Sequence, residues 1–309
     1  MNKEKIFAVI VTYNRKKLLE ECVKSLLFQS RRPDKIIIVN NNSNDGTSEL
    51  IENLSKKNKI IKHIKLKENT GSSGGQYAGF KAAYKGGADW IWTMDDDTIP
   101  KETALQELVH AKEFLKNKSK IGYLASRIIN VEGEDINVPR ISLEKGKALE
   151  WEWGKYLQEQ LIKISDATFV SIMFSREFIL NLGFPIKEFF IWGDDIEYTQ
   201  RGEKEFESFL VGKSIAIHKR GLATLMDILE EKNPNRIKNY FYYFRNNLYL
   251  ERKNNKKKYF FHLLNWGLRK PFLALFMKNG FKKFTIILKG FFASFFFNPR
   301  IIYPKNNKK

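Results

Sequence analysis

The stretch KIFAVIVTYN at residues 5–14 is an apolar run that ends in polar residues. Its β-branched and aromatic side chains predict a buried strand over residues 5–11, with a loop at the strand's carboxyl end. Apolar side chains then recur at helical spacing over residues 15–29, which predicts a helix. Asn14 is of a type that caps helices, and we expect it to cap this one.

The pattern of strand, loop and helix continues to residue 97. Further strands are predicted at 35–39, 60–66 and 90–94, and further helices at 47–54 and 76–85. This alternation predicts an α/β fold, with a mainly parallel Rossmann-like sheet and helices on both faces. Ligands of such sheets bind outside the carboxyl ends of the strands. We therefore expect one cleft, lined by polar clusters at residues 12–14, 40–45, 69–75 and 95–97.

Composition limits the class of protein. The chain has 309 residues, 43% of them hydrophobic, which suits one large domain or two modest ones with a sizeable core. Cys22 is the single cysteine, so a disulfide framework and a zinc site of several thiolates are excluded. The apolar run near the N-terminus is too short for a signal peptide, and no uncharged apolar stretch reaches about 18 residues, so we expect no membrane span.

The formal charge of +19 is concentrated in the C-terminal part. Residues 236–309 hold 18 lysines and arginines against one acid, Glu251, and 20 of the 43 aromatic residues. Residues 1–235 are nearly neutral and contain the polar clusters described above. We therefore divide the chain into a body at 1–235 and a basic, aromatic helical region at 236–309.

Asp95, Asp96 and Asp97 directly follow the fourth predicted strand. Three adjacent carboxylates repel one another unless a cation neutralises them, and hard divalent cations prefer oxygen ligands. Mg²⁺ or Mn²⁺ bridging carboxylates to a diphosphate is the usual arrangement, so we interpret the triplet as a metal site. The alternative is an acidic turn that caps residues 98–100.

A glycine-rich segment, GSSGG at residues 71–75, follows the third strand. Glycines permit close approach of the backbone to a ligand, and the amides at the start of the next helix can face an anion. No Gly-Lys-Ser/Thr sequence follows, so this is not the phosphate loop of a nucleoside triphosphatase. A flexible loop is the alternative.

Paired carboxylates framed by aromatic residues occur in FFIWGDDIE at residues 189–197. A carboxylate in a partly apolar setting beside another acid has a raised pKa, which suits a general base. Asp194, Asp195 and Glu197 would also suit the N-terminus of a helix, where acids interact favourably with the helix dipole. Both interpretations can hold together.

Four motifs resemble, in order and spacing, the inverting family 2 glycosyltransferases: VIVTYNR at 9–15, VNNNSNDGT at 39–47, NTGSSGGQYAGFKAA at 69–83 and WIWTMDDD at 90–97. The resemblance covers roughly residues 5–220 and includes an acceptor-side motif at 189–197. It implies the GT-A nucleotide-sugar-binding fold over 1–235, with a donor half at about 1–100 and an acceptor half at about 101–235. More narrowly, the chain resembles galactofuranosyl- and rhamnosyltransferases of bacterial surface polysaccharides.

The resemblance implies a role for each cluster. Asp195 would be the base that deprotonates the acceptor hydroxyl, with Asp194 and Glu197 positioning the acceptor or its loop. Asp95 and Asp97 would hold Mn²⁺ or Mg²⁺. The nucleotide-sugar donor would contact Thr12, Tyr13, Asn14, Arg15, Asn40, Asn41, Gly71, Gly74, Gly75 and Asp96. The acceptor would contact Trp192 and Gly193. Apart from the resemblance, Trp151 and Trp153 lie between the donor and acceptor motifs and are acceptor candidates, because aromatic faces commonly stack on sugar rings; tryptophan there is otherwise an ordinary core residue.

His218 follows a strand-like run at residues 209–217. In the resembled family a histidine here often completes the metal site, and a neutral imidazole beside two carboxylates suits Mn²⁺. A lone histidine at a strand end is otherwise a polar surface residue or a satisfied core residue.

Asn40 and Asn41 depart from the resembled family, which usually has aspartate at the first position and often at the second. An amide can still pair with a pyrimidine edge, because it both donates and accepts hydrogen bonds. The simpler interpretation is a polar turn that caps the helix starting at Thr47.

The basic region contains three candidate helices, at residues 236–252, 260–277 and 281–297. Basic, aromatic amphipathic helices suit an anionic membrane surface, and we expect Phe291, Phe295 and Phe296 to insert. The chain would then be peripheral at the cytoplasmic face of a bacterial cell membrane, acting on a lipid-linked or polysaccharide acceptor. Packing on the body, or on another subunit of a homo-oligomer, is the alternative.

Charge and aromatic content alone would also suit a nucleic-acid-binding protein. The motifs lie in the neutral body, so we expect no nucleic-acid partner. A nucleotidyltransferase would need basic residues for a triphosphate beside the glycine-rich segment, and residues 71–80 contain none. We therefore expect a metal-dependent glycosyltransferase that uses a nucleotide-diphosphate sugar, with galactofuranose or rhamnose favoured.

Overall fold

A computed structural model describes residues 4–146, 149–219 and 227–305. The chain forms two compact units, which are described separately below. Unit 1 is drawn from Met1–Lys187, Tyr198–Ala223 and Ile301–Lys309, and unit 2 from Glu188–Glu197 and Thr224–Arg300. The short segment Glu188–Glu197 therefore clusters with the C-terminal helices rather than with the body, unlike the division near residue 235 that composition predicts.

Unit 1 is built on a ten-stranded sheet with the order β3-β2-β1-β4-β9-β6-β10-β8-β7, and β5 pairs with β10 beside this path. The strands β1 to β4 pair in parallel, whereas β9 is antiparallel to both of its neighbours. The bounds are β1 (Ile6–Thr12), β2 (Lys35–Asn40), β3 (Ile61–Lys65), β4 (Trp90–Asp95), β5 (Thr98–Pro100), β6 (Ile121–Ile129), β7 (Arg140–Ile141), β8 (Leu161–Asp166), β9 (Ile172–Ser175) and β10 (Glu207–His218).

Helices cover both faces of this sheet, as the sequence predicts. Alternate residues of β1 divide between two apolar clusters: Ala8 packs with Leu19 of the first helix, whereas Val9 packs with Phe80 of the third. The helix bounds are α1 (Lys16–Leu27), α2 (Thr47–Lys57), α3 (Gly71–Lys85), α4 (Ala104–Leu115) and α5 (Arg176–Leu182). A further helix, α6 (Asp194–Gln200), has its first four residues in unit 2 and its last three in unit 1. The predicted α/β architecture is confirmed.

The N-terminus of α1 differs in detail from the prediction. Asn14 does not cap the helix; it adopts a left-handed φ of 53°, and its side chain accepts a hydrogen bond from the Asn44 N–H. Asp45 instead accepts a hydrogen bond from the Lys16 N–H, at 3.0 Å. The loop after β2 therefore caps α1, because it lies beside the loop after β1.

The glycine-rich segment is the beginning of α3 rather than a loop that precedes it. A Cβ on Gly75 would lie 2.3 Å from Val11 Cγ1, and one on Gly79 would lie 2.3 Å from Val9 Cγ1. These two glycines are one helical turn apart, so they let α3 approach β1 more closely than a larger residue would allow.

Unit 2 is helical, and its bounds confirm the three helical candidates. They are α7 (Pro234–Asn254), α8 (Lys256–Leu264), a π-helical segment (Asn265–Arg269), α9 (Lys270–Leu275) and α10 (Gly280–Phe296). Tyr240 and Phe244 of α7, Trp266 and Ile287 form the core. Among the described residues, no helix combines the length and the apolar character needed to cross a membrane.

Candidate active site

The register of the sheet brings a histidine to the aspartate triplet. Asp95 ends β4, and His218 ends β10, which pairs antiparallel with β5 so that His218 lies opposite Thr98. The Lys219 N–H also donates to the Asp97 carbonyl, at 2.8 Å. As a result, Asp95, Asp97 and His218 each offer a ligand atom within 4.8 Å of the others. The sequence prediction named these three residues as metal ligands.

Hydrogen bonding fixes the orientation of the His218 ring. His218 Nδ1 lies 3.0 Å from Asn137 Oδ1, and Nε2 lies 3.1 Å from Asp97 Oδ1. When the proton of the neutral ring is on Nδ1, Nε2 presents a lone pair beside Asp97 Oδ1, as two ligands of one cation would. A second partner that holds the distal N–H is the usual arrangement for a metal-binding histidine. The donor set therefore fits a divalent cation.

Arg15 supplies positive charge to the other side of the triplet. Its Nη1 lies 2.7 Å from Asp97 Oδ2 and 3.1 Å from Asp96 Oδ1. The Thr12 hydroxyl donates to Asp96 Oδ2 at 2.7 Å. Thr12 and Asp96 are buried, whereas the Arg15 side chain is half exposed. The middle aspartate is thus held by the protein, and the guanidinium remains accessible to a ligand.

The three carboxyl groups differ in pKa. Burial, together with the charge of Asp97, raises the pKa of Asp95 to about 7. Burial raises the pKa of Asp96 to about 6, although Arg15 and Thr12 oppose the shift. For Asp97 burial also acts upward, but the hydrogen bond and charge of His218 and the charge of Arg15 outweigh it and lower the pKa. Buried carboxyl groups that lie close together and have shifted pKa values are typical of a site that binds a cation.

The amides of Asn40 and Asn41 brace neighbouring loops. Asn40 Nδ2 donates to Ser48 Oγ, and its Oδ1 accepts from the Ser43 N–H. Asn41 Oδ1 accepts from the Thr70 N–H, and its Nδ2 donates to the Gly71 carbonyl at 2.8 Å. Asn40 thus holds the start of α2, in keeping with the polar-turn interpretation, whereas Asn41 holds the start of α3 instead. Their contact with a nucleotide base stays a prediction.

The other predicted donor residues surround the same loops. Tyr13 is exposed, with 44% of its surface accessible, beside the positive-φ residue Asn14. Gly71 begins α3 with a φ of 73°, and a Cβ on Gly74 would lie 2.3 Å from Thr70 Oγ1. The first turn of α3 thus lies beside the end of β2, and the N-terminus of a helix is a position where backbone amides can face an anion.

Five of the predicted acceptor-side residues lie in unit 2: Trp192, Gly193, Asp194, Asp195 and Glu197. Asp194, Asp195 and Glu197 form the first turn of α6, as the helix-terminus interpretation predicts. Asp194 and Glu197 are buried, and Asp195, which is partly exposed, accepts from the Ile196 N–H. The adjacent Trp192 packs its ring against Tyr240 and Tyr243 of α7, at centroid distances of 5.4 and 6.3 Å.

Trp151 and Trp153 lie in the excursion between β7 and β8. Trp151 is 47% exposed, and the Lys145 ammonium lies 4.6 Å from its ring centroid. Trp153 belongs to a short 3₁₀ turn, Glu152–Gly154, and is partly exposed. Their contact with an acceptor stays a prediction.

Sequence reasoning missed Asn137 and Asn246. Asn137 lies in the irregular segment between β6 and β7, and no local pattern marks it as the partner of His218. Asn246 lies on α7 with its side chain fully buried, in contact with the segment before α6. The sequence signal for Asn246 was its place among apolar positions at helical spacing, where a buried amide needs partners.

Comparison with known proteins connects this geometry to a family. The model of Glycosyl transferase family 2 matches residues 7–183. The galactofuranosyltransferase GlfT1 of Mycobacterium tuberculosis is 26% identical over 204 residues, which are 64% of this chain and 64% of that protein. Poly-beta-1,6-N-acetyl-D-glucosamine synthase of Staphylococcus aureus is 29% identical over 119 residues, which are 38% of this chain and 27% of that protein. Both matches span less than two thirds of the relative's length.

A solved structure supports the fold. The crystal structure of GalNAc-T7 with UDP, GalNAc and Mn²⁺ superposes with a TM-score of 0.57 at 15% identity, over 84% of this chain and 54% of that chain. The likeness at this identity shows a GT-A-like arrangement of a mostly parallel sheet and flanking helices. Because the family model covers more than half of the residues, including the aspartate triplet, the chain belongs to glycosyl transferase family 2.

Proposed function

We propose that this glycosyltransferase is inverting and metal-dependent, and that it transfers galactofuranose or rhamnose from a nucleotide-diphosphate sugar to a hydroxyl of a lipid-linked or growing cell-surface polysaccharide. The observation that carries the proposal is the meeting of Asp95, Asp97 and His218 at the ends of β4 and β10. The similarity to a galactofuranosyltransferase favours galactofuranose as the sugar.

On the donor side, the chain would hold the diphosphate at the carboxyl ends of β1 and β4. Asp95, Asp97 and His218 would ligate Mn²⁺ or Mg²⁺, which when bound offsets the negative charge on the leaving nucleoside diphosphate. Arg15 is half exposed beside these residues, so its guanidinium can turn from Asp97 to a phosphate oxygen. Thr12 keeps the Asp96 carboxylate oriented when the Arg15 guanidinium turns toward the phosphate.

On the acceptor side, Asp195 would act as the general base. The acceptor oxygen attacks the anomeric carbon as the bond from that carbon to the phosphate oxygen breaks, and the hydroxyl proton passes to Asp195. Attack opposite to the leaving group inverts the anomeric centre. The backbone N–H of Ile196 donates to Asp195 Oδ1, which ties the carboxylate to the first turn of α6.

Unit 2 would bring the enzyme to the cytoplasmic face of an anionic membrane. Five apolar side chains repeat at every fourth residue from α8 to the residue that follows α9, and each is more than 60% exposed. This exposed row consists of Phe260, Leu264, Leu268, Phe272 and Phe276. Exposed lysines and arginines flank it, including Lys256, Lys257, Arg269 and Lys278. Exposed apolar and basic residues together favour binding to anionic lipid.

A donor panel tests the proposal. UDP-galactofuranose, dTDP-rhamnose, UDP-glucose, UDP-galactose and UDP-N-acetylglucosamine are compared by thermal shift and by release of the nucleoside diphosphate, with Mn²⁺ and with excess chelator. We expect one of the first two donors to give the largest shift and the fastest release, both dependent on metal. Equal release in chelator would contradict the metal site, and preference for UDP-N-acetylglucosamine would contradict the sugar.

A further inference from the structure

The segment that precedes α6 has an unusual backbone. Phe190 and Trp192 adopt positive φ values of 66° and 64°, and Gly193 follows with 90°. Large aromatic residues rarely occupy the left-handed region, because the conformation costs free energy that the surroundings must offset. Such strain tends to occur where a backbone has to place a functional group. Asp194 and Asp195 come directly after it.

A single buried amide holds this backbone. Asn246 of α7 is fully buried, and its Nδ2 lies 3.0 Å from the Phe189 carbonyl oxygen, 3.0 Å from that of Ile191 and 2.8 Å from that of Trp192. Its Oδ1 accepts a hydrogen bond from Arg245 Nε at 2.9 Å. That bond fixes which end of the amide is the oxygen, so the NH₂ group faces the three carbonyls.

Arg245 extends the same contact. Its Nη2 donates to the Glu188 carbonyl at 2.7 Å and to the Phe189 carbonyl at 3.2 Å, and its guanidinium carbon lies 3.9 Å from the Phe297 ring centroid. Two successive residues of α7 therefore hold four carbonyl groups between residues 188 and 192. Hydrogen bonds from a charged donor are stronger than those from a neutral one, which adds to the restraint.

Side-chain packing also holds this segment against α7. The Phe190 ring stacks on Tyr242 at a centroid distance of 4.5 Å and an angle of 17°. A Cβ on Gly193 would lie 3.2 Å from Leu250 Cδ1 and 3.7 Å from Asn246 Cβ. Both the backbone and the side chains of the segment are thus fitted to one face of α7.

We propose that Asn246 is a positioning residue for the acceptor side of the reaction. Its amide holds the backbone of residues 189–192 in the strained form that sets the direction of Asp195 at the start of α6. The proposal rests on the function proposed above for Asp195. It assigns the basic helical region a part in catalysis, since α7 shapes the segment that carries the base.

Matched variants of neighbouring asparagines test this. Asn246→Leu keeps the approximate volume and removes the donor, and Asn246→Asp replaces the donating NH₂ with an accepting oxygen. Asn247→Leu and Asn247→Asp are the controls, because the Asn247 amide donates to the Tyr243 carbonyl of its own helix, at 2.8 Å. Each variant is measured by hydrogen–deuterium exchange of the peptide around residues 188–197, by calorimetry with UDP and Mn²⁺, and by turnover with UDP-galactofuranose and n-octyl β-D-galactofuranoside.

We expect both Asn246 variants to exchange faster at residues 188–197 and to lose acceptor-dependent kcat by about 100-fold, as a displacement of about 1 Å at a reacting group would cause. Their affinity for UDP should stay within about twofold of the wild-type value, because the proposal places Asn246 on the acceptor side. A tenfold loss of affinity would correspond to about 1.4 kcal/mol. Both Asn247 variants should resemble the wild type in all three measurements.

Three results would overturn the proposal: unchanged exchange in the Asn246 variants, equal losses in the Asn247 variants, or a joint loss of UDP affinity and turnover. The last would make Asn246 a general core residue. A wild-type enzyme that transfers no sugar from the panel would contradict the proposed function instead, and the exchange measurement would still decide whether Asn246 holds the segment.

Discussion

At the scale of single residues, the aspartate triplet combines three carboxyl groups whose charges are compensated in different ways. Asp96 is held by Thr12 and Arg15, and Asp97 by Arg15 and His218. Asp95 has its pKa raised to about 7 by burial and by the charge of Asp97. A bound cation would reverse this balance, because it favours the ionised form of both of its carboxylate ligands.

The first prediction is a pH dependence of metal binding. Because the pKa of Asp95 is near 7, its carboxyl must release a proton to bind Mn²⁺ below that pH. We expect affinity for Mn²⁺ in the presence of UDP to rise from pH 6 to pH 8, by roughly tenfold per unit below pH 7 if one proton is released. Calorimetry in buffers of different ionisation enthalpy measures both affinity and proton release. A flat profile without proton release would contradict the assignment of Asp95.

The second prediction compares two neighbouring aspartates. Asp97→Asn should weaken Mn²⁺ binding by at least about 100-fold, because a neutral amide is a poor ligand for a hard cation and His218 loses its partner. Asp96→Asn should weaken it less, since Asp96 is oriented toward Thr12 and Arg15. The measurement is the thermal stabilisation by UDP as a function of Mn²⁺ concentration. A larger effect at Asp96 would exchange the two roles.

The third prediction concerns the base. Asp195→Asn should lower turnover by about 10²–10⁴-fold while UDP affinity stays nearly unchanged, because the base acts on the acceptor. Asp194→Asn should have a smaller effect on kcat. Single-turnover kinetics with saturating donor separates the chemical step from binding. An inactive Asp194 variant beside an active Asp195 variant would reverse the assigned roles.

At the scale of elements, α3 is placed by glycines rather than by an amphipathic face. Its buried residues include Gly75, Gly79 and Phe80, and the first two face Val11 and Val9 of β1. The helix can therefore lie close to the sheet and bring its N-terminus to the ends of β1 and β2. The same residues that suggest a ligand-binding loop in the sequence thus serve helix packing.

The fourth prediction follows from this packing. Gly79→Ala would place a methyl group 2.3 Å from Val9 Cγ1, so the helix or the strand must shift. We expect a loss of about 1–3 kcal/mol in the free energy of unfolding, as is usual for overpacked cores. The partly exposed Ser72→Ala on the same helix is the control and should be nearly neutral. Chemical denaturation measures both, and an undiminished stability of Gly79→Ala would show that the contact relaxes freely.

Element prediction from the sequence succeeded where periodicity was strong. The apolar runs of β1, β2 and β4 and the helical spacing of α1 and α10 are local properties, so one stretch of sequence contains the whole signal. Caps and partners are different, because they depend on which loops the fold brings together. Asp45, in the loop after the neighbouring strand β2, caps α1. Asn137 contacts the His218 ring from a segment about 80 residues away in the chain.

At the scale of the whole molecule, the charge composition indicates the basic helical region but does not give the bounds of unit 2. The segment Glu188–Glu197 belongs with α7 to α10 because Asn246 and Arg245 hold its carbonyls. No composition shift marks such a contact. The triplet and its histidine, by contrast, could be named from the sequence because the family resemblance orders them along the chain, even though β10 lies about 120 residues after β4.

Exposure also changes which residues are expected to meet a membrane. Phe291 packs with the core of unit 2, whereas Phe296 is 88% exposed. Deleting α10 would therefore remove core residues such as Ile287 and would not isolate lipid binding. Substitutions in the exposed row are the sharper test, since Leu264 and Phe272 contribute mainly accessible surface.

The fifth prediction is that this row anchors the chain to anionic lipid. Leu264→Ser together with Phe272→Ser should weaken binding to vesicles of phosphatidylcholine and phosphatidylglycerol at least about tenfold, because burying each side chain contributes about 1.5–3 kcal/mol when complete. Phe28→Ser, at a residue of unit 1 that is 73% exposed, is the control and should leave binding unchanged.

Varying the salt concentration in the same experiment separates the electrostatic contribution to lipid binding from the apolar one. Basic residues near an anionic surface contribute about 1 kcal/mol each at low salt, so high salt should release the wild type only in part and the double variant almost fully. Sedimentation with neutral and anionic vesicles measures this. If the wild type binds both lipids equally, the lysines have no part in it. If the double variant instead loses a dimer seen by light scattering and keeps its lipid affinity, the row is a subunit interface.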